Sequence, residues 1–171
     1  SNLRMGDMWG SDVIVTTSRG LNNPLPIAEY VLSTIFLFAK SLPQAFRDQN
    51  NQAFERREYR SMLVQGKTVG IIGLGGIGSA VARLAKAVGM SVVATRRSAT
   101  VAQSKTQNVD ELLLPSELST LLEQSDFVVL STQWTPETDG LIGEAELRQM
   151  KPRAYLINVA RGELIDQSAL T

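Results

Sequence analysis

The 171-residue chain is 43% hydrophobic and 20% charged, enough apolar content to bury the core of one ordinary domain and too little polar bias for a disordered chain. Its 17 basic side chains balance 17 acidic ones, so no general attraction to nucleic acid or to an anionic membrane is expected. Cysteine and histidine are both absent, which excludes disulfide scaffolds and thiolate metal sites and removes the commonest general base; no metal centre is expected.

The opening "SNLRMGDMWGSD" is polar and lacks a signal-peptide core. The most apolar run, "YVLSTIFLFA" from Tyr30 to Ala39, is shorter than the ~20 residues that span a bilayer. The expectation is a soluble cytoplasmic chain. "DVIVTTS", Asp12 to Ser18, is β-branched and reads as a short strand or extended segment, and "RGLNNPLP" as a loop. A helix is predicted from Ile27 to Leu42, with Pro24 or Pro26 near its start. Its second half (Val31, Leu32, Ile35, Phe36, Leu37, Phe38) is apolar nearly all round, which demands burial in the domain or against another chain. A more polar helix is expected from about Pro43 to Tyr59.

From Lys67 onward strands and helices alternate. "KTVGIIG" reads as a buried strand, and "GGIGSAVARLAKAVG" as a helix with Val81, Leu84, Ala85 and Val88 facing the core and Gly89 closing it. "SVVAT" is a second strand. "LLLP" is a brief apolar run, after which Ser116 is the expected N-cap of a helix "ELSTLLEQ". "DFVVLS" is a third strand, "EAELRQM" a short helix, "AYLINV" a fourth strand, and "DQSAL" the start of a further helix. Alternation of this kind predicts an α/β fold, a doubly wound parallel sheet covered on both faces.

Between the first strand and its helix, "GLGGIG", Gly73 to Gly78, fits G-x-G-x-x-G in the right context. Gly73 suits the turn out of the strand, Gly75 a close approach of backbone to a pyrophosphate, and Gly78 helix-to-strand packing. The anion then sits at the helix N-terminus. A glycine turn without ligand is the alternative. In "NVARGELID", Arg161 follows a strand directly, where a guanidinium can clamp a carboxylate or simply be solvated. About 20 residues past the glycine loop, where dinucleotide-binding domains carry an acid for the ribose, stand Arg96, Arg97 and Ser98. With the acid absent and two cations in its place, a 2′-phosphate is favoured, hence NADP, with NAD as the alternative.

Together, "GKTVGIIGLGGIGSAVARLAKAVGMSVVATRR", "TPETDGLIGEAELRQMKPRAYLINVARGELID" and "SRGLNNPLPIAEYVL" resemble the D-isomer-specific 2-hydroxyacid dehydrogenase family, from about Asp12 to the end of the chain. The resemblance implies a nicotinamide-binding Rossmann domain over residues 24–171, incomplete in its last strands, with residues 1–23 leading in from a substrate domain. It also implies hydride transfer between nicotinamide and a 2-oxo or 2-hydroxy acid, of the glyoxylate or hydroxypyruvate reductase kind. Arg161 matches the arginine that binds the substrate carboxylate. Gly76 and Ile77 match positions over the pyrophosphate, Thr132 a cofactor contact, Val159 and Ala160 positions beside the nicotinamide, and Ser18 a residue at the cleft edge. The apolar helix matches the element through which members form homodimers. Gln133 stands where the family has proline. The family's catalytic glutamate and histidine lie past its "ARG" motif, so this chain alone is expected to be inactive. The alternative reading is a non-catalytic nucleotide-binding or dimerisation module on the same fold.

Overall fold

The computed structural model describes residues 23–54, 59–102 and 106–171. The expected segment Asp12 to Ser18 lies outside the described residues. Five strands, β1 (Thr68–Ile72), β2 (Ser91–Thr95), β3 (Glu111–Leu113), β4 (Phe127–Leu130) and β5 (Tyr155–Asn158), form one parallel sheet in the order β3-β2-β1-β4-β5. The period-2 alternation of a strand divides their side chains between two cores. Val69, Ile71, Val92, Ala94, Phe127, Val129 and Ile157 enter one, and Ile72, Val93, Val128 and Leu130 the other. Both faces being buried, the strands read as unbroken apolar runs.

Helices α1 (Leu25–Ala39) and α3 (Gly76–Ala87) cover the first face. α4 (Leu118–Gln124) and α5 (Glu144–Gln149) cover the second. In α3 the buried stripe is Gly78, Val81, Ala82 and Ala85, with Leu84 and Val88 half-buried beside it. Gly89 follows in a left-handed conformation, as expected of the residue that ends a helix. The ring of Phe38 on α1 stacks on Tyr155, centroids 5.0 Å apart, and Tyr155 stacks on Phe127 at 5.5 Å. This aromatic column ties α1 to β5 and β4, each pair contributing roughly 0.5–1.5 kcal/mol beyond burial.

Several boundaries depart from the sequence reading. The first helix runs from Leu25 to Ala39, not to Leu42. Pro43 offers no N–H and its ring would crowd the carbonyl of Ala39 four residues back, so the helix cannot continue through it. Ser41 turns the chain at φ 55°, and the Ala39 carbonyl instead accepts a hydrogen bond from Met62 N–H at 2.8 Å. The second helix, α2, covers only Leu42–Asn50, and Gln52, just past its C-cap Asn51, is left-handed. The "LLLP" run supplies a strand the sequence reading did not assign, β3, paired to β2 from Val93↔Glu111 to Thr95↔Leu113. Ser116 is not a cap: Pro115–Glu117 form a 3-10 turn, and the Glu117 carboxylate accepts the N–H of Leu114 at 2.7 Å. The terminal helix is a short 3-10 turn, Gln167–Leu170, capped by Asp166 on Ser168 N–H.

The apolar first helix resolves into two surfaces. Ala28, Val31, Ile35 and Ala39 are fully buried against the domain. Tyr30, 64% exposed, and Ile27, 39% exposed, remain at the surface. Among the described residues no single helix is long and apolar enough to cross a membrane, and α1 and α2 meet at a 65° bend.

Candidate functional site

In a doubly wound sheet a crevice opens at the carboxyl ends of the strands where the order reverses. Here that point lies between β1 and β4, because α3 leaves β1 towards one face and α5 follows β4 on the other. Two cavities, of about 610 and 410 Å³, occupy this edge and share Ser131, Thr132 and Gln133 as a common wall.

The phosphate loop crosses the smaller cavity. Gly73 leaves β1 at φ 101°, and a Cβ there would stand 2.7 Å from the Thr132 backbone. Only glycine therefore permits both the turn and the approach of the next strand's end. Two N–H groups, of Gly73 and Leu74, donate to the Thr95 carbonyl at 3.1 and 3.0 Å, which locks the loop to β2. The Ser131 hydroxyl donates to the Gly73 carbonyl at 2.8 Å and locks it to β4. Gly78 lies buried beneath that same carbonyl, which a side chain would strike. Gly75 differs: no protein atom lies within 4 Å of the position a Cβ would take, so nothing inside the fold requires glycine there. The same residue is the N-cap of α3 and offers no side chain to the helix's first amides. Those of Gly76 and Ile77 belong to the first turn, whose N–H groups have no intrahelical acceptor. Open space above a positive helix end fits a pyrophosphate.

Arg96, Arg97 and Ser98 leave β2 beside this loop and line the smaller cavity with Gly73 and Gly75. All three are exposed, and the turn is closed by Ala99 N–H donating to the Arg96 carbonyl at 2.9 Å. Next to Thr135, which lines the cavity, Glu137 has its carboxyl held below the usual range by the Thr135 hydroxyl first, then by its own backbone N–H, with the Arg97 guanidinium adding a smaller pull. Pro115, Leu118 and Leu141 give this cavity an apolar wall. The sequence reading did not select them, because no local pattern announces that two separate segments converge.

The larger cavity brings together Ile77, Thr132, Val159, Ala160 and Arg161, with Ile27, Trp134 and Glu163 completing it. Asn158 shapes the turn after β5: its Oδ1 accepts from Ala160 N–H at 2.9 Å and its Nδ2 donates to the Arg161 carbonyl at 2.7 Å. The Arg161 Nη1 donates to the Ala160 carbonyl at 2.9 Å, keeping the guanidinium at the cavity rim. Asn158 was legible in principle, since asparagine at a strand end closes such turns on itself. Trp134, whose indole N–H donates to Asp139 at 2.7 Å, carried no such signal. Gly76 and Gly78 line neither cavity; Gly76 opens α3 and Gly78 sits beneath the loop. Ser18 lies outside the described residues.

Comparison with known proteins agrees with this geometry. The family model described as "D-isomer specific 2-hydroxyacid dehydrogenase, NAD binding domain" matches residues 32–171. D-3-phosphoglycerate dehydrogenase of Synechocystis sp. is 35% identical over 158 residues, covering 92% of this chain and 27% of that protein. Glyoxylate reductase of Thermococcus gammatolerans is 48% identical over 108 residues, 63% of this chain and 31% of that one. A solved structure from Thermus thermophilus superposes with a TM-score of 0.78 at 33% identity, over 91% of this chain and 48% of its own. The chain thus spans about a third of the length of the curated relatives it matches.

Proposed function

This chain belongs, as an NAD-binding domain, to the D-isomer specific 2-hydroxyacid dehydrogenase family, and from that membership we propose that it is the cofactor-binding part of an oxidoreductase acting on a 2-oxo or 2-hydroxy acid, with NADP favoured over NAD. The observation that carries this reading is the continuity of the two cavities: the phosphate loop and Arg161 open onto one crevice, joined at Thr132. A nicotinamide cofactor, when bound, supplies or takes up the hydride. Gly75 and the first amides of α3 hold the pyrophosphate, and Val159 and Ala160 wall the side facing Arg161. Arg161 grips the acid's carboxylate through its paired N–H groups and stabilises negative charge developing on the neighbouring oxygen. A glyoxylate-like small acid is the substrate class we favour, in keeping with the Thermococcus relative.

The chain contains no histidine, so the family's usual proton donor is missing from it. The 171 residues alone are expected to bind dinucleotide and yet show no turnover of glyoxylate or hydroxypyruvate. Fluorescence titration with NADPH and NADH, followed by an absorbance assay, tests both halves. Failure to bind either dinucleotide refutes the reading, and turnover at a rate ordinary for an enzyme refutes the expected inactivity.

We assign a homodimer contact to the outer surface of α1, where Tyr30 is exposed, and to α2, where Leu42 and Phe46 are exposed. Phe36 packs partly into the core, so its replacement would test folding as much as association. Tyr30→Glu is the cleaner variant. Light scattering should show a dimer reduced to monomer, and a folded wild-type monomer at high concentration would overturn the assignment.

A further inference from the structure

At the opposite edge of the sheet, a cavity of about 650 Å³ lies below the amino ends of β1, β4 and β5. Its wall gathers four cations, Arg60, Lys67, Lys151 and Arg153, around one carboxylate, Asp126. They come from separate segments: the connection after α2, the residue before β1, and the turn from α5 into β5. That turn is fixed by Ala154 N–H donating to the Lys151 carbonyl at 2.9 Å.

Asp126 is already committed. Its Oδ2 accepts the Thr68 N–H at 2.9 Å, and its Oδ1 lies 3.7 Å from Lys67 and 3.4 Å from Lys151. Neither Arg60 nor Arg153 has an ion-pair partner among the described residues. In a chain whose total charges balance, four cations sharing one carboxylate around an open volume are a local departure. Like charges held together repel, and a multiply charged anion between them relieves that repulsion. The two guanidiniums offer the paired donors that match phosphate oxygens, and the lysines add point charge.

We propose that this cavity is a second anion site, taking a compact phosphate-bearing small molecule and separate from the dinucleotide crevice. The strands place four to five residues between the two edges, about 15 Å at ~3.3 Å per residue, so one small anion does not reach both.

The test is a titration of the isotope-labelled 171-residue chain with inorganic pyrophosphate, read residue by residue from amide chemical shifts. Shifts at Gly75 to Ile77 report the phosphate loop; shifts at Ser61, Lys67, Lys151 and Arg153 report this cavity. Saturable shifts are expected in the second set. Arg153→Ala and Lys151→Gln should each weaken that response roughly tenfold, the scale of one lost charged contact, and leave the phosphate-loop response in place. Asp126→Asn keeps an oxygen for Thr68 and removes the competing charge, so it should tighten binding, a gain that a merely structural carboxylate would not produce. Absence of saturable shifts overturns the proposal. So do shifts reproduced by sodium chloride at equal ionic strength, an affinity unchanged in Arg153→Ala and Lys151→Gln, or short duplex DNA binding these amides more tightly than pyrophosphate.

Discussion

The two rims of the smaller cavity are built on different principles. On one side the glycine loop is fixed from within: Gly73 is pinned against the Thr132 backbone, bonded to Thr95 and held by the Ser131 hydroxyl. On the other side Arg96, Arg97 and Ser98 stand exposed on a single turn after β2. At Gly73 the first rim cannot change without disturbing the fold. The second can change freely, because its side chains support nothing beneath them. A dinucleotide site divided this way keeps its phosphate geometry constant and leaves cofactor choice to residues that carry no stability.

The largest effects should fall within the glycine loop, where Gly73 and Gly75 separate the two principles. Gly73→Ala forces a Cβ residue to φ 101° and into the Thr132 backbone. Such strain costs about 1–3 kcal/mol before the clash is counted. The unfolding midpoint should fall by several degrees, at roughly 2–4 °C per kcal/mol for a chain of this size, with dinucleotide binding lost. Gly75→Ala meets no protein atom and its φ of −93° suits alanine. Its midpoint should fall by only about 1–3 °C, the scale of exchanging glycine for alanine at a helix N-cap, while affinity falls at least roughly tenfold. Calorimetry and fluorescence titration of the pair decide it. A Gly75→Ala protein that binds normally would remove the ligand from the loop.

Next in size is the arginine rim. Arg96→Asp should leave the unfolding midpoint unchanged, because Arg96 is exposed. It should reduce NADPH affinity by roughly 10- to 100-fold, the range of a charged hydrogen bond lost and replaced by repulsion. NADH affinity should hold or rise, since an acid at this position suits free ribose hydroxyls. Competition titrations give both constants. NADH bound as tightly as NADPH, or more tightly, by the unaltered chain would reject the proposed preference for NADP.

The same division explains what the sequence disclosed. The phosphate loop was legible because its constraint is local: strand, glycines and helix are consecutive, and the backbone demand at Gly73 shows as the residue itself. The α/β alternation was legible because buried strands of β-branched residues and the stripe of α3 repeat at fixed periods. β3 was not, since three residues between a polar stretch and a proline carry no period, and only pairing with β2 makes them a strand. The end of α1 was misplaced because Leu42 resumes the apolar pattern past Lys40 and Ser41, whereas Pro43 acts backwards on Ala39. The apolar wall of Pro115, Leu118 and Leu141, and the presence of Glu137 near Arg97, depend on tertiary assembly and leave no trace in spacing.

Glu137 offers the smallest and sharpest test of the exposed rim. It stands between Thr135 and Thr138, both of which line the cavity holding Arg97. Its carboxyl is lowered first by the Thr135 hydroxyl and its own backbone, and only then by Arg97, so the charge coupling is weak. A 2′-phosphate at the arginine rim meets that carboxylate as a like charge and as a rival for Arg97. Glu137→Gln keeps the size and removes the charge. NADPH affinity should rise about twofold, the scale of an exposed ion pair, and NADH affinity should not move. With the carboxyl lowered in the folded protein, it stays charged until the pH falls below the ordinary carboxylate range, so the gain in Glu137→Gln should hold steady from neutral pH down to about pH 6, where the 2′-phosphate itself takes up a proton. Raised salt should shrink the difference between Glu137→Gln and the unaltered chain, because exposed charges are screened within about 8–10 Å. Calorimetric titrations at two salt concentrations measure it. An equal gain for NADH would place the effect on the shared adenosine rather than on the 2′-phosphate.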